Sequence, residues 1–281
     1  MKFGASTFIW ASPFSPATFH LADKVKEMGF DVLEICIEDP ATIPAEQTRE
    51  YLDKQGVEAL VCGAFGPNRD ISSEDAGIRA EGLAYIKTCV DFAVKLGSPL
   101  VSGPMYSATG KTRLLGPDEK KQQWAWTVEH LKMAADYAGQ RGVKLAIEPL
   151  NRYETDLINT VEQGLELLDK VGQSNLGFLL DTFHMNLEEK NIADAIRLAG
   201  KHIFNFHTCE NDRAIPGTGH IPWEQTAGAL RDVNYDGYIV IEAFTTEIKE
   251  IARAVSQWRK LAPTQDAIAA EGIAFLKKVF A

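Results

Sequence analysis

Short apolar runs recur along the chain, separated by longer stretches whose apolar positions repeat at the three-to-four-residue spacing of a half-buried helix. The runs read as strands over residues 2–8 (ending near Trp10), 32–37, 59–64, 99–102, 145–148, 178–181, 203–207 and 238–242. Helices are expected over 15–28, 45–54, from 72–75 to 96, 117–141, 160–171, 192–199 and from 222, and two more over 247–258 and 265–279. The punctuation agrees with this rhythm. Pro16 stands at a first helical position, where its missing N–H costs nothing. Ser72, Ser73, Glu74 and Asp75 combine capping side chains with acids for the helix dipole. Gly29, Gly56, Gly97 and Gly142 follow helices where a left-handed residue closes the last turn. Eight strand–helix alternations follow one another with no linker or low-complexity segment, so residues 1–281 are expected to form one α/β domain.

The polar residues that end four successive strands decide between an open sheet and a closed one. Glu148 closes an apolar run, and Pro149, which cannot donate to a sheet ladder, stops the strand there. Asp181, His207 and Glu242 end the next three runs. The steps of 33 (148 to 181), 26 (181 to 207) and 35 (207 to 242) residues each match one strand–helix unit of roughly 30 residues. Four such side chains converge only if parallel strands curl round one axis. The expected fold is therefore a (β/α)8 TIM barrel with an extra C-terminal helix, and the chain's 281 residues suit a barrel of about 250. Two Glu, one Asp and one His make an oxygen-rich donor set suited to one divalent metal, Mn²⁺ first, with Co²⁺ or Mg²⁺ as alternatives. A structural zinc prefers Cys and His, although zinc stays among the candidates. Stray polar residues at strand ends are the bland alternative, but four unpaired buried groups in a row would be costly. The irregular stretch 103–116 is the longest and is expected to be a lid or a substrate wall.

Composition narrows the partners. A net charge of −10 argues against nucleic acid, which needs a basic face. No apolar run reaches the ~18 residues of a membrane span, and no basic segment with an apolar core opens the chain. Cys36, Cys62, Cys89 and Cys209 are scattered, which points to reduced thiols in a cytoplasmic protein.

Glu-Pro-Leu-Asn-Arg-Tyr-Glu (148–154), Asp-Thr-Phe-His-Met-Asn-Leu-Glu-Glu (181–189) and the span from His207 to Trp223 resemble the ketose 3-epimerases. These are the D-tagatose and D-psicose (allulose) 3-epimerases of the xylose-isomerase-like barrels, and Gly66-Pro67 with 71–75 resembles their third-strand loop. The resemblance implies a carbohydrate isomerase that epimerises a ketose at C3 through a cis-enediolate. It implies metal ligands at Glu148, Asp181, His207 and Glu242, with Glu148 and Glu242 as the acid/base pair. His184 and Arg213 match positions that hold the sugar oxygens, and Glu154 one that contacts hydroxyls or orients His184. Asn151, Arg152 and Asn186 are expected as supports, and Phe8, Trp10, Trp223 and Phe244 as an apolar wall for the sugar's far end. His20, His130, His202 and His220 fit surface or packing roles. Ser6 (an aromatic in the family), Cys209 (glycine) and Ala243 (proline or serine) depart from the pattern and leave the identity of the ketose open. The same ligands would serve an aldose–ketose or hydroxypyruvate-type isomerase, and Ser6 would make room for a 3-keto-glycoside. A sugar-binding module without catalysis is the remaining alternative. The family is often dimeric or tetrameric, so a homo-oligomer is expected, with Trp258 or the C-terminal helices at the interface.

Overall fold

The computed structural model describes residues 1–280; Ala281, the last residue of the expected domain, lies outside them. Eight strands close in chain order into a barrel: β1 (Lys2–Ser6), β2 (Val32–Ile37), β3 (Glu58–Gly63), β4 (Leu100–Gly103), β5 (Lys144–Ile147), β6 (Leu176–Asp181), β7 (Ile203–His207) and β8 (Tyr238–Ile241). Every pairing is parallel, and β1 closes the ring on β8. The helices are α1 (Leu21–Glu27), α2 (Ala45–Gln55), α3 (Ala76–Leu96), α4 (Pro117–Gly139), α5 (Val161–Val171), α6 (Thr182–Glu188), α7 (Ile192–Ala199), α8 (Trp223–Asp232), α9 (Lys249–Ala254) and α10 (Gln265–Val279). Among the described residues no helix is long and apolar enough to cross a membrane.

Strand alternation sorts the core into two compartments. Leu33, Ile35, Val61, Val101, Leu145, Ile147, Phe178, Ile239 and Ile241 belong to the large cluster between strands and helices. Val32, Leu60, Leu100 and Val240 form a separate apolar plug. Two residues further along the strands, the interior layer turns polar: Glu34 of β2, Ser102 of β4 and Asn205 of β7 are joined by hydrogen bonds. The barrel is thus sealed below by aliphatic side chains and chemically furnished above. That asymmetry directs function to the carboxyl ends of the strands.

Three expected boundaries shift, and one helix is new. The first strand stops at Ser6 rather than Phe8, because the Ser6 hydroxyl accepts the Phe8 N–H and turns Thr7–Ile9 into a 3-10 helix. The expected 15–28 helix is a 3-10 turn at Pro16–Thr18, boxed by Ser15 and Thr18, followed by α1. Helix α6 was not anticipated: Asp181 caps it in the middle of a motif that reads as loop. The penultimate helix shrinks to Lys249–Ala254, and Trp258 lies beyond it, exposed.

The 104–116 stretch is anchored rather than free. The Lys111 ammonium donates to Asp70 Oδ2 (2.6 Å) and to Ser72, Arg113 pairs with Glu74 and Asp156, and Lys111 bridges Thr155. These ties hold the stretch in place.

Gly177 on β6 illustrates how tightly the barrel is closed. A Cβ there would lie 2.4 Å from the His202 carbonyl oxygen and 2.6 Å from the Phe204 ring. Since a backbone carbonyl cannot swing aside, Gly177→Ala is expected to lower unfolding stability by about 2–3 kcal/mol, read as a shift in denaturation midpoint. An unchanged midpoint would show that β6 has slack to give.

Candidate active site

Each chemically competent side chain is delivered by a strand terminus. Strand β5 ends at Ile147, and Glu148 follows at the point where Pro149 breaks the ladder. Asp181 ends β6 and caps α6; its Oδ1 accepts the Phe183 N–H at 2.7 Å, leaving Oδ2 for the centre. His207 ends β7, and Glu242 follows β8. The four come from consecutive staves, all are buried, and each offers a donor atom within 4.8 Å of the others.

His207 tests whether this cluster suits a cation. Its Nδ1 is buried, has no hydrogen-bond partner, and lies 3.6 Å from Glu242 Oε2 and 4.0 Å from Asp181 Oδ2. Its Nε2 faces Glu34 Oε2 at 3.0 Å. A carboxylate behind one imidazole nitrogen fixes the ring and its tautomer so that the other nitrogen presents a lone pair. A lone pair facing two carboxylates with nothing between them fits a divalent ion. With only protons present, burial works against the imidazolium, but Glu34 and Glu242 beside it hold the His207 pKa well above its ordinary value. A bound cation replaces that proton.

The two glutamates are driven in opposite directions. Burial, reinforced by the charge of Glu242, pushes the Glu148 pKa well above the carboxylate range. Burial also acts on Glu242, but His207 and Arg213 outweigh it and hold that carboxyl below its usual value. Paired titratable groups pushed apart are the usual mark of an acid and a base sharing a site.

Arg213, Cys209 and His184 surround the four. Arg213 Nη1 donates to Asp181 Oδ2 (2.9 Å) and Glu242 Oε2 (2.7 Å), and its guanidinium lies over the Phe183 and Phe244 rings at 4.3 and 5.0 Å. Its loop holds it in a left-handed conformation (φ 66°). Glu210 anchors that loop, accepting the N–H groups of Gly217 and Ile221 and the Trp223 indole N–H. The Cys209 thiol donates to Asp181 Oδ2 at 3.3 Å and to the Glu242 carbonyl at 3.0 Å. His184 Nδ1 accepts the Asn151 backbone N–H at 3.1 Å, while its Nε2 lies 3.7 Å from Glu148 Oε1 and 3.0 Å from Arg213 Nη2. Burial lowers the His184 pKa, which favours the neutral ring. Glu154 reaches this group through Asn151, whose side-chain amide donates to Glu154 Oε1 at 2.8 Å.

The expected apolar wall is only partly assembled. Phe8 and Phe244 meet at 5.4 Å between ring centres and pack against Cys36, Cys62 and Ile251. Trp10 instead donates its indole N–H to Asp266 at 2.6 Å, at the start of α10. Trp223 is occupied by Glu210 and by an edge-on contact with Phe275, so it serves the loop and the C-terminal helix. Arg152 is exposed and paired with Glu188, away from the centre.

One functional-site residue escapes sequence reasoning. Glu34 reads as an interruption of an apolar strand, yet all six residues of β2 are buried, and a fully buried carboxylate demands a partner. That demand was the available signal. Cys209 stood out as a departure from the family glycine, but its contacts with Asp181 and the Glu242 carbonyl were not anticipated.

The family model described as xylose isomerase-like TIM barrel matches residues 22–279. A probable ketose 3-epimerase of Synechocystis sp. is 35% identical over 280 residues, covering 100% of this chain and 97% of the relative. A D-psicose 3-epimerase of Agrobacterium fabrum is 33% identical over 271 residues, covering 95% and 93%. The crystal structure of a D-allulose 3-epimerase from Methylomonas sp. in complex with D-allulose superposes with a TM-score of 0.93 at 30% identity, over 99% of this chain and 96% of that one.

Proposed function

Because the chain belongs to the xylose isomerase-like TIM barrel family and is a carbohydrate isomerase of the ketose 3-epimerase kind, we propose that it inverts C3 of a free ketose through a cis-enediolate, using Glu148 and Glu242 as its acid/base pair. The observation that carries this reading is two buried glutamates brought to one centre with Asp181 and His207, beside an imidazole nitrogen with no hydrogen-bond partner.

Glu148, Asp181, His207 and Glu242 are the residues that would hold the cation. Three carboxylates and one imidazole favour Mn²⁺, with Co²⁺ or Mg²⁺ as alternatives. A divalent ion there supplies positive charge against the oxygens on which negative charge develops. The protein supplies the rest. The ionised glutamate takes the C3 proton from one face, and the protonated one returns a proton to C3 from the other, so the net change is inversion. For the reverse substrate the roles exchange. Arg213 and His184 hold the oxygens near C1 to C3, with Asn151 and Glu154 fixing the ring of His184. Phe8 and Phe244 shield the far end of the sugar from water. Free, buried cysteines fit action in the cytoplasm, and a homo-oligomer, expected from the family resemblance, is tested by size-exclusion chromatography with light scattering.

The decisive experiment follows deuterium at C3 by NMR in D2O across a panel of ketoses, with the protein loaded with Mn²⁺ or stripped by chelator. Metal-dependent exchange at C3 with both epimers appearing is expected, and stripping should abolish it. Exchange at C1 or C2 with aldose product would instead assign an aldose–ketose isomerase. Sugar binding without any exchange would leave a binding protein.

A further inference from the structure

A second group of metal-competent side chains lies inside the barrel. Cys36 on β2 and Cys62 on β3 are direct register partners on neighbouring parallel strands, so their side chains share one face. Glu34 lies two residues before Cys36 and therefore on the same face. All three are buried, and one donor atom from each lies within 4.8 Å of the other two. A tetrahedral ion with bonds of about 2.3 Å to sulfur sets its ligand atoms roughly 3.8 Å apart, so only small side-chain adjustments separate this trio from a ligand set.

The two thiols are also underemployed. Cys36 Sγ has the Ser6 hydroxyl at 3.4 Å, and Cys62 Sγ reaches only the adjacent Gly63 carbonyl, at 3.8 Å. Glu34 is engaged on its other side, where Oε1 accepts from Asn205 and Oε2 lies 3.0 Å from His207 Nε2. Two buried thiols with weak hydrogen bonds, set beside a carboxylate, are ligands ready for an electrophile.

We propose that Glu34, Cys36 and Cys62 form a second cation site, selective for a thiophilic ion such as Zn²⁺ or Cd²⁺. Two sulfurs and one carboxylate make it softer than the oxygen-rich centre at Glu148, Asp181, His207 and Glu242, so the two sites sort ions by ligand chemistry. Binding converts two thiols to thiolates and releases two protons to solvent, with no change of oxidation state. Because Glu34 also holds His207 Nε2, an ion at the second site draws on the carboxylate that orients the histidine of the first. The proposal concerns ion binding alone and does not depend on which sugar reaction the enzyme performs.

The probe is Cd²⁺, titrated at constant pH into reduced protein saturated with Mn²⁺. One equivalent is expected to produce an ultraviolet thiolate-to-cadmium charge-transfer band. Cadmium NMR of the unsubstituted protein should show a resonance in the range of a two-sulfur site. Cys36→Ser and Cys62→Ser are each expected to lose the band, whereas Cys89→Ser and Cys209→Ser keep it. The cadmium resonance requires no variant, so a misfolded substitution leaves the question decidable. Absence of both signals in the unsubstituted protein would overturn the proposal. So would a band that survives Cys36→Ser with Cys62→Ser, or one lost only with Cys209→Ser, which would place the ion at the first centre.

Discussion

Glu242→Gln is expected to leave the barrel folded and the sugar bound while lowering C3 proton exchange by about 10²- to 10⁴-fold, the span attributable to a positioned acid or base. The amide has the shape of the carboxyl group, and its carbonyl oxygen can still accept from Arg213 Nη1, which now lies 2.7 Å from Glu242 Oε2. What disappears is a group that takes up and releases a proton and that would also ligate the cation, so exchange is compared at saturating Mn²⁺. Glu148→Gln should cause a loss of the same order, but its effect on stability differs in sign. Burial already pushes Glu148 towards its neutral form, so a neutral amide relieves a desolvated carboxyl group, and the thermal midpoint should hold or rise. In Glu242→Gln an ionised partner of Arg213 and His207 is removed, and the midpoint should fall. Single-turnover exchange in D2O, with sugar affinity measured separately by calorimetry, distinguishes the two contributions. If either variant keeps exchange within tenfold of the unsubstituted enzyme, that glutamate is not part of the acid/base pair.

The contrast between these glutamates and Glu34 shows what a sequence reveals and what it conceals. Glu148, Asp181, His207 and Glu242 were legible because each ends an apolar run, and runs at unit spacing imply converging strand ends. Proline after Glu148 made the first of them conspicuous. Glu34 also occupies an apolar run, but in its middle, where alternation alone does not say which face is the barrel lumen. Only closure of the sheet puts β2 opposite β7 and carries Glu34 to within 3.0 Å of a residue 173 positions away. Helix α6 was hidden for a different reason. Its seven residues are too few for a periodic signal, and they form because Asp181, chosen by the site, also happens to cap them. Trp10 and Trp223 show the reverse failure. An aromatic near a strand end looks like a ligand wall, yet their indole N–H groups are committed to Asp266 and Glu210, acids distant in sequence.

Glu34→Gln should weaken Mn²⁺ binding by about 10- to 100-fold, the usual cost of losing the group that orients a ligating histidine. In the native barrel the carboxylate faces two donors, His207 Nε2 at 3.0 Å and the Asn205 amide at 2.9 Å. A carboxylate can satisfy both at once. A glutamine has one acceptor oxygen: in the place of Oε1, which contacts both Asn205 and His207, it leaves the amide nitrogen about 3.0 Å from His207 Nε2, and in the place of Oε2 it sets that nitrogen against the Asn205 donor. If the amide faces His207, the imidazole favours the tautomer with its proton on Nδ1, the nitrogen that must present its lone pair to the cation. If it faces Asn205, the histidine is held by a neutral acceptor, and its basicity towards the cation drops. Either way the first centre suffers although none of its four side chains has changed. Mn²⁺ binding followed by electron paramagnetic resonance measures the affinity, and the thermal midpoint of metal-free protein measures the fold. A role confined to packing would lower the metal-free midpoint and leave the affinity alone. Weaker binding with a modest change in that midpoint would establish Glu34 as the residue through which β2 governs the opposite side of the barrel.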